Sequence, residues 1–103
     1  MGIFIRATQD KQIKISGTDI TLNEVYMRIE FAARANGITL EIAPTTFATK
    51  QTYSENKPLY TDVITSNLLV DLQPNETQTI DNALNYTAMF YTQLGYDVVI
   101  DTL

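Results

Sequence analysis

The sequence predicts an α+β domain: a mostly antiparallel β-sheet or sandwich, one C-terminal helix at about residues 77–94, and a terminal strand after it. Three observations predict this. Apolar residues alternate at period two through most of residues 12–42, around two glycine-containing turn signals. The period shifts to three and four residues between Ile80 and Leu94. The 103 residues suffice for one domain, spanning 1–103, with one modest core.

The elements follow in chain order. Residues 3–7 form a short apolar strand, closed by the polar turn Gln9-Asp10-Lys11. Gln12-Ile13-Lys14-Ile15-Ser16 alternates cleanly, and Gly17-Thr18 suits a type II′ turn with glycine first. That register sets Ile15 opposite Ile20 and Ile13 opposite Leu22. Asn36-Gly37 is the stronger signal, because a type I′ turn needs positive φ at both central positions. It sets Ala35 opposite Ile38, Ala33 opposite Leu40 and Phe31 opposite Ile42, apolar on apolar throughout. Arg34 and Glu41 become diagonal neighbours on the other face. The strand shared by the two hairpins changes parity. Ile20 and Leu22 are even-numbered, whereas Val25, Met27, Ile29 and Phe31 are odd. One core can hold both sets only with a bulge or kink near Asn23-Glu24. A helix is the rival for residues 25–35, with Thr21-Leu22-Asn23-Glu24 as its capping box. Strict alternation favours strand, since a helix would turn Met27 and Phe31 away from its apolar face.

Pro44 marks a strand end or an edge. Residues 46–53 are strand-like in composition, and Glu55-Asn56-Lys57-Pro58 reads as a loop. If that loop closes a hairpin, Tyr53 faces Tyr60 and Thr52 faces Thr61. Thr65-Ser66-Asn67 is a turn cluster, and residues 68–72 make a short apolar strand. In the helix, Thr77 or Thr79 caps the start, Asp81 suits the first turn, and Gly95 ends it. Val98 and Ile100 then alternate along a last strand. Strand, helix and strand have the length of a βαβ crossover, right-handed if the strands are parallel neighbours. The expected core is Ile13, Ile15, Ile20, Val25, Met27, Ile29, Phe31, Leu40, Ile42, Leu69, Leu84, Tyr91, Val98 and Ile100. Ile80, Leu84, Tyr91 and Leu94 should pack the helix on the sheet.

Composition narrows the function classes. A net charge of −5 with seven scattered Lys and Arg disfavours a phosphate-binding surface, so no direct nucleic-acid contact is expected. No cysteine and no histidine are present, which removes thiolate chemistry, disulfides, and the commonest general base and metal ligand. No apolar run approaches membrane-spanning length, and the first residues lack the pattern of a signal peptide.

The stretch VYMRIEFAARANGITLEI, the later KPLYTDV and the ending YTQLGYDVVID resemble small structural proteins of tailed-bacteriophage virions. The resemblance covers most of the chain from Val25 onward and lies in the cadence of a β-rich body, one helix and a strand after a Leu-Gly-Tyr corner. It implies a non-enzymatic component of a head, neck, tail or baseplate, made in the host cytoplasm and located in the virion. Its partners would be other virion proteins and further copies of itself. It carries no catalytic or ligand signature.

Candidate chemistry is sparse. Asp97, Val99, Asp101 and Leu103 share a strand face, which suggests oxygen ligands for a hard cation; a solvated polar face is the plainer reading. Glu24 and Glu30 with Asp62 or Asp71 are candidate carboxylate pairs, without any cleft motif. Asn75-Glu76-Thr77 and Asn85-Tyr86-Thr87 match the glycosylation pattern, the second inside the expected helix. The tyrosines could stack on sugars or bases, which leaves a carbohydrate- or receptor-binding β-sandwich as the alternative function. Neither catalytic residue, cofactor nor metal is expected. The expected interface residues are Ile3, Phe4 and Ile5, a terminal strand able to join a neighbour's sheet, and Thr46, Phe47 and Tyr53, on a reaching loop at residues 46–57.

Overall fold

The computed structural model describes residues 1–63 and 66–102. It is an α+β fold built on one curled antiparallel sheet. Seven strands form in chain order: β1 (Gly2–Arg6), β2 (Ile13–Lys14), β3 (Thr21–Leu22), β4 (Glu24–Ala33), β5 (Thr39–Phe47), β6 (Leu68–Asp71) and β7 (Asp97–Asp101). A short helix, α1 (Lys50–Ser54), follows β5, and the main helix, α2 (Ile80–Gln93), lies between β6 and β7. The large sheet has the order β6-β5-β4-β1-β7, and β2 and β3 make a separate ribbon. Of the sheet and sandwich forms compatible with the sequence, this is the sheet.

Both expected hairpin registers hold, but both turns are wider than expected. Ala33 pairs with Leu40, Ala32 with Glu41 and Phe31 with Ile42. The chain nevertheless turns through four residues, 35–38, flanked by the hydrogen bond from Arg34 N to Thr39 O. Gly37 alone takes positive φ, at 80°, so this is not a type I′ turn. Asn36 serves by its side chain instead, its Oδ1 accepting from Ile38 N and Thr39 N, each at 3.0 Å. At the other hairpin, Ile13 pairs with Leu22 while Thr18 N bonds Ile15 O, which places Gly17, at φ 77°, third in its turn rather than second. Lengthening a loop by one residue on each side leaves every remaining pair unchanged, so the register survived a misjudged turn.

The parity change resolves as a bend at Asn23. β3 stays with β2, whereas β4 crosses to the large sheet. Antiparallel steps from β6 through β5, β4 and β1 to β7 make β6 and β7 run in the same direction. They lie at opposite edges, however, and are not the neighbours of a βαβ unit. Helix α2 therefore crosses the sheet, touching β7, β1, β4 and β5.

Its ends are well specified. Thr79 is the N-cap, its side chain accepting from Asn82 N, and Asp81 sits in the first turn. At the other end, Gly95 N bonds Thr92 O and Tyr96 N bonds Tyr91 O, with Gly95 at φ 108°. This is a Schellman closure, and Tyr96 folds back on Tyr91 with ring centroids 6.2 Å apart. The Leu-Gly-Tyr corner is thus a helix stop.

The core lies between α2 and the sheet. Ile3, Ile5, Val25, Met27, Ile29, Leu40 and Ile42 are buried there against Ala83, Leu84, Tyr91 and Tyr96. Burial of each large aliphatic side chain contributes about 1.5–3 kcal/mol. Three expectations fail here. Ile20 is 58% exposed, because it lies beyond β3 at the turn end of the ribbon while Ile13 and Leu22 reach the core, and Leu69 is 63% exposed, because it lies on the face away from α2. Leu94 is the helix C-cap and points to solvent. Ala83 and Thr87 complete the buried helix face instead, with Thr87 Oγ1 bonded to Ala83 O.

No Tyr53–Tyr60 hairpin forms. Thr49 caps α1 reciprocally with Thr52, which turns the threonine-rich stretch into a helical turn. Residues 59–62 then run beside β2, through the bridge Ile15–Thr61 and the bonds Ser16 N to Tyr60 O and Asp62 N to Lys14 O. The turn expected at Thr65-Ser66-Asn67 begins outside the described residues.

Candidate functional site

The sheet face opposite α2 carries the densest polar and aromatic chemistry. Even-numbered β4 residues and odd-numbered β5 residues point this way, so Tyr26 stands beside Phe47. Phe4 meets Tyr26 edge-on at 5.0 Å from β1. Helix α1 closes over the group, with the Tyr53 ring 5.3 Å from both Tyr26 and Phe47. Arg28 lies over the Phe47 ring at 5.5 Å and pairs with Glu30 at 3.3 Å. Tyr26 and Phe47 are fully buried in this second, smaller core.

Its one deep charge is Asp101, on β7. Tyr26 Oη donates to Asp101 Oδ2 at 2.9 Å, and Lys50 Nζ reaches the same oxygen at 2.8 Å. The Asp101 side chain is 7% exposed. Burial, then the hydrogen bond and charge of Asp101, push the Tyr26 phenol well above its ordinary value. The phenol stays a donor, and the carboxylate is held as its acceptor. The arrangement ties α1, β4 and β7 together. Gly2 makes room for it: a Cβ there would lie 2.6 Å from Met27 O and 2.7 Å from the Tyr26 ring.

Among the described residues, the sheet ends in two outer strands, β6 and β7, each paired with one neighbouring strand. Each shows an apolar residue on the α1 side of the sheet, Leu69 on β6 and Val99 on β7, at 63% and 42% exposure. The surface also holds open depressions. One of about 230 Å³ lies among Ala7, Thr8, Gln12, Thr21, Leu22 and Asn23. Another, of about 170 Å³, lies among Glu30, Phe31, Ala32, Glu41 and Ala43. Both are shallow.

Compared with protein-family models, curated proteins and solved structures, the chain matches none.

The residues expected at an interface are placed differently from expectation. Ile3 and Ile5 are wholly buried, and β1 is paired with β4 on one side and β7 on the other. It has no free main-chain edge, so it cannot join a neighbour's sheet while this sheet is intact. Phe4 belongs to the aromatic cluster. Thr46 and Phe47 end β5 and are buried; Thr46 Oγ1 donates to Leu59 O and lies 3.1 Å from Thr61 Oγ1. Tyr53 is in α1, so the reaching loop is half strand and half helix.

The acidic residues do not converge. Asp97 lies opposite Arg6, which Glu24 holds at 2.5 Å; Asp101 is occupied by Tyr26 and Lys50, and Leu103 lies outside the described residues. The polar strand face expected there is solvated at Asp97 and buried at Asp101. Asp62 accepts from Lys14 N and Asp71 from Thr39 Oγ1. Among the described residues, no three acidic side chains gather as a metal site would require. Arg34 does meet Glu41, at 3.5 Å, as their diagonal placement predicts. Among the described residues, no helix is long and apolar enough to cross a membrane. Sequence reasoning missed Tyr26 and Asp101 as a pair. Their separation of 75 residues carries no local signal.

Proposed function

We propose that the chain is a non-enzymatic structural protein of a tailed-bacteriophage virion, docking to neighbouring virion proteins through sheet edges and loops. The observation that carries this reading is the pair of outer strands, β6 and β7, each with an exposed apolar residue on its surface. Unprotected edges are templates for strand addition, and soluble proteins ordinarily blunt them. The likeness of the sequence to small virion proteins supplies the context. The docking strand inferred from the sequence is replaced by these two, since β1 is interior. The chain is weakly charged, and further apolar side chains, among them Ile20, Ile38, Tyr60 and Met89, are exposed, which suits contacts between proteins better than capture of nucleic acid.

The test is fractionation of particles from the phage that encodes the chain. The protein should band with intact particles on a density gradient, at a copy number that is a multiple of a particle symmetry. Leu69→Lys with Val99→Lys should cut its occupancy at least tenfold while the isolated subunit keeps its circular dichroism spectrum. Its absence from particles, or undiminished occupancy of the double variant, would overturn the reading.

A further inference from the structure

The two outer strands carry the same message. β6 reads Leu68-Leu69-Val70-Asp71, and the end of β7 reads Val98-Val99-Ile100-Asp101. In both, the two even-numbered apolar residues pack against the core. In both, the odd-numbered apolar residue points to the α1 side, with an aspartate two places on. The strands also run in the same direction at opposite ends of one sheet. We infer that β7 of one copy pairs in parallel with β6 of a second copy, Val98 beside Leu68 and Asp101 beside Asp71.

Direction decides the geometry. Turning a copy about an axis along the strands preserves strand direction, so it brings a β6 alongside β7 in parallel. A two-fold axis normal to the sheet would instead set β7 antiparallel to β7, with Val99 against Val99 and β6 left uncovered in both copies. In the parallel register, Leu69 covers Val99 on one face, while the even-numbered residues extend the core on the other. The two aspartates come together at the seam, and the charge there is answered: Lys50 Nζ lies 2.8 Å from Asp101, and its side chain is 45% exposed. One lysine then serves two carboxylates. The contact is heterologous, so it generates a ring where the rotation closes and a filament where it does not.

Four residues a side make a weak contact when isolated, and ring closure multiplies it. This inference rests on the assembly reading and names a second copy as one of its partners. The chain contains no cysteine, which permits a clean test. Leu69→Cys and Val99→Cys are made as separate proteins, and each should keep the wild-type circular dichroism spectrum, both sites being exposed. In-register neighbouring strands bring Cα atoms within disulfide range. Under mild oxidation at about millimolar concentration, the mixture should yield the Leu69→Cys/Val99→Cys dimer at least tenfold above either homodimer. Random collision gives the mixed dimer only a twofold excess. A Ser16→Cys protein, altered on the β2–β3 turn, should show no preference for either partner. A homodimer-dominated, statistical or empty pattern overturns the pairing. Because purified protein is used, that outcome leaves the particle test of assembly standing, and the two can fail separately.

Discussion

Tyr91 should make the fold sensitive to alkali in a measurable way. It lies on the buried face of α2, 1% exposed, with the rings of Phe90 and Tyr96 beside it. Burial, and then the neighbouring Tyr96 phenol, push its own phenol up to about 12. In the unfolded chain it returns to about 10. A folded pKa above the unfolded one means that the fold favours the protonated form. Its contribution is therefore complete below about pH 10 and is lost as pH rises to about 12. Two pKa units correspond to about 2.7 kcal/mol at the limit, and the same linkage gives about 1.4 kcal/mol by pH 11. Urea unfolding of wild type and Tyr91→Phe at pH 8 and pH 11 isolates this. The phenylalanine protein cannot ionise there, so the gap between the two curves should move by about 1.4 kcal/mol in its favour. Tyrosinate absorbance should rise in stages, since Tyr26, Tyr86 and Tyr96 are also held above the ordinary phenol value. Parallel loss of stability in both proteins, or a single absorbance step for all six tyrosines, would refute the reasoning.

Other substitutions probe other joints. Gly37→Val should cost about 1–2 kcal/mol in urea melts through backbone strain alone, since φ is 80° and no atom lies within 4 Å of a built Cβ. Gly37→Asn should cost less. Gly2→Ala should cost about 1–3 kcal/mol by overpacking Tyr26, and Tyr26→Phe should partly relieve it in a double-mutant cycle. Thr79→Ala should cost about 1 kcal/mol by uncapping α2, with the loss visible as faster amide exchange at Asn82.

Local rules carried the hairpins and the helix. Alternation identifies which side chains share a face, and a central glycine identifies where the chain reverses. Neither depends on the turn type, which is why the β4–β5 register was legible although Asn36 does not take positive φ. The α2 boundaries were legible because caps are local chemistry. Residues 49–54 were not, because threonine and tyrosine favour strands by composition, while a reciprocal Thr49–Thr52 cap needs only three residues to bend the chain. Strand order was illegible for another reason. A short apolar strand reads alike at an edge or in the middle, and β1 is in the middle only because β7 arrives to cover it. The candidate site fared worst. The second core of Phe4, Tyr26, Phe47, Tyr53 and Asp101 draws on five elements, β1, β4, β5, α1 and β7, whose meeting no local pattern announces.

The pairing of Gly2 with Asp101 governs how the molecule comes into being. β1 precedes every other strand of the fold and must wait for the most distant of them, β7, to supply one of its two neighbours. Until β7 is in place, an apolar strand has one side uncovered, and the Tyr26 hydroxyl lacks the carboxylate that accepts its hydrogen bond. The sheet closes only through a contact between strands far apart in sequence, which slows folding. The nascent chain is most vulnerable to misassociation in that interval.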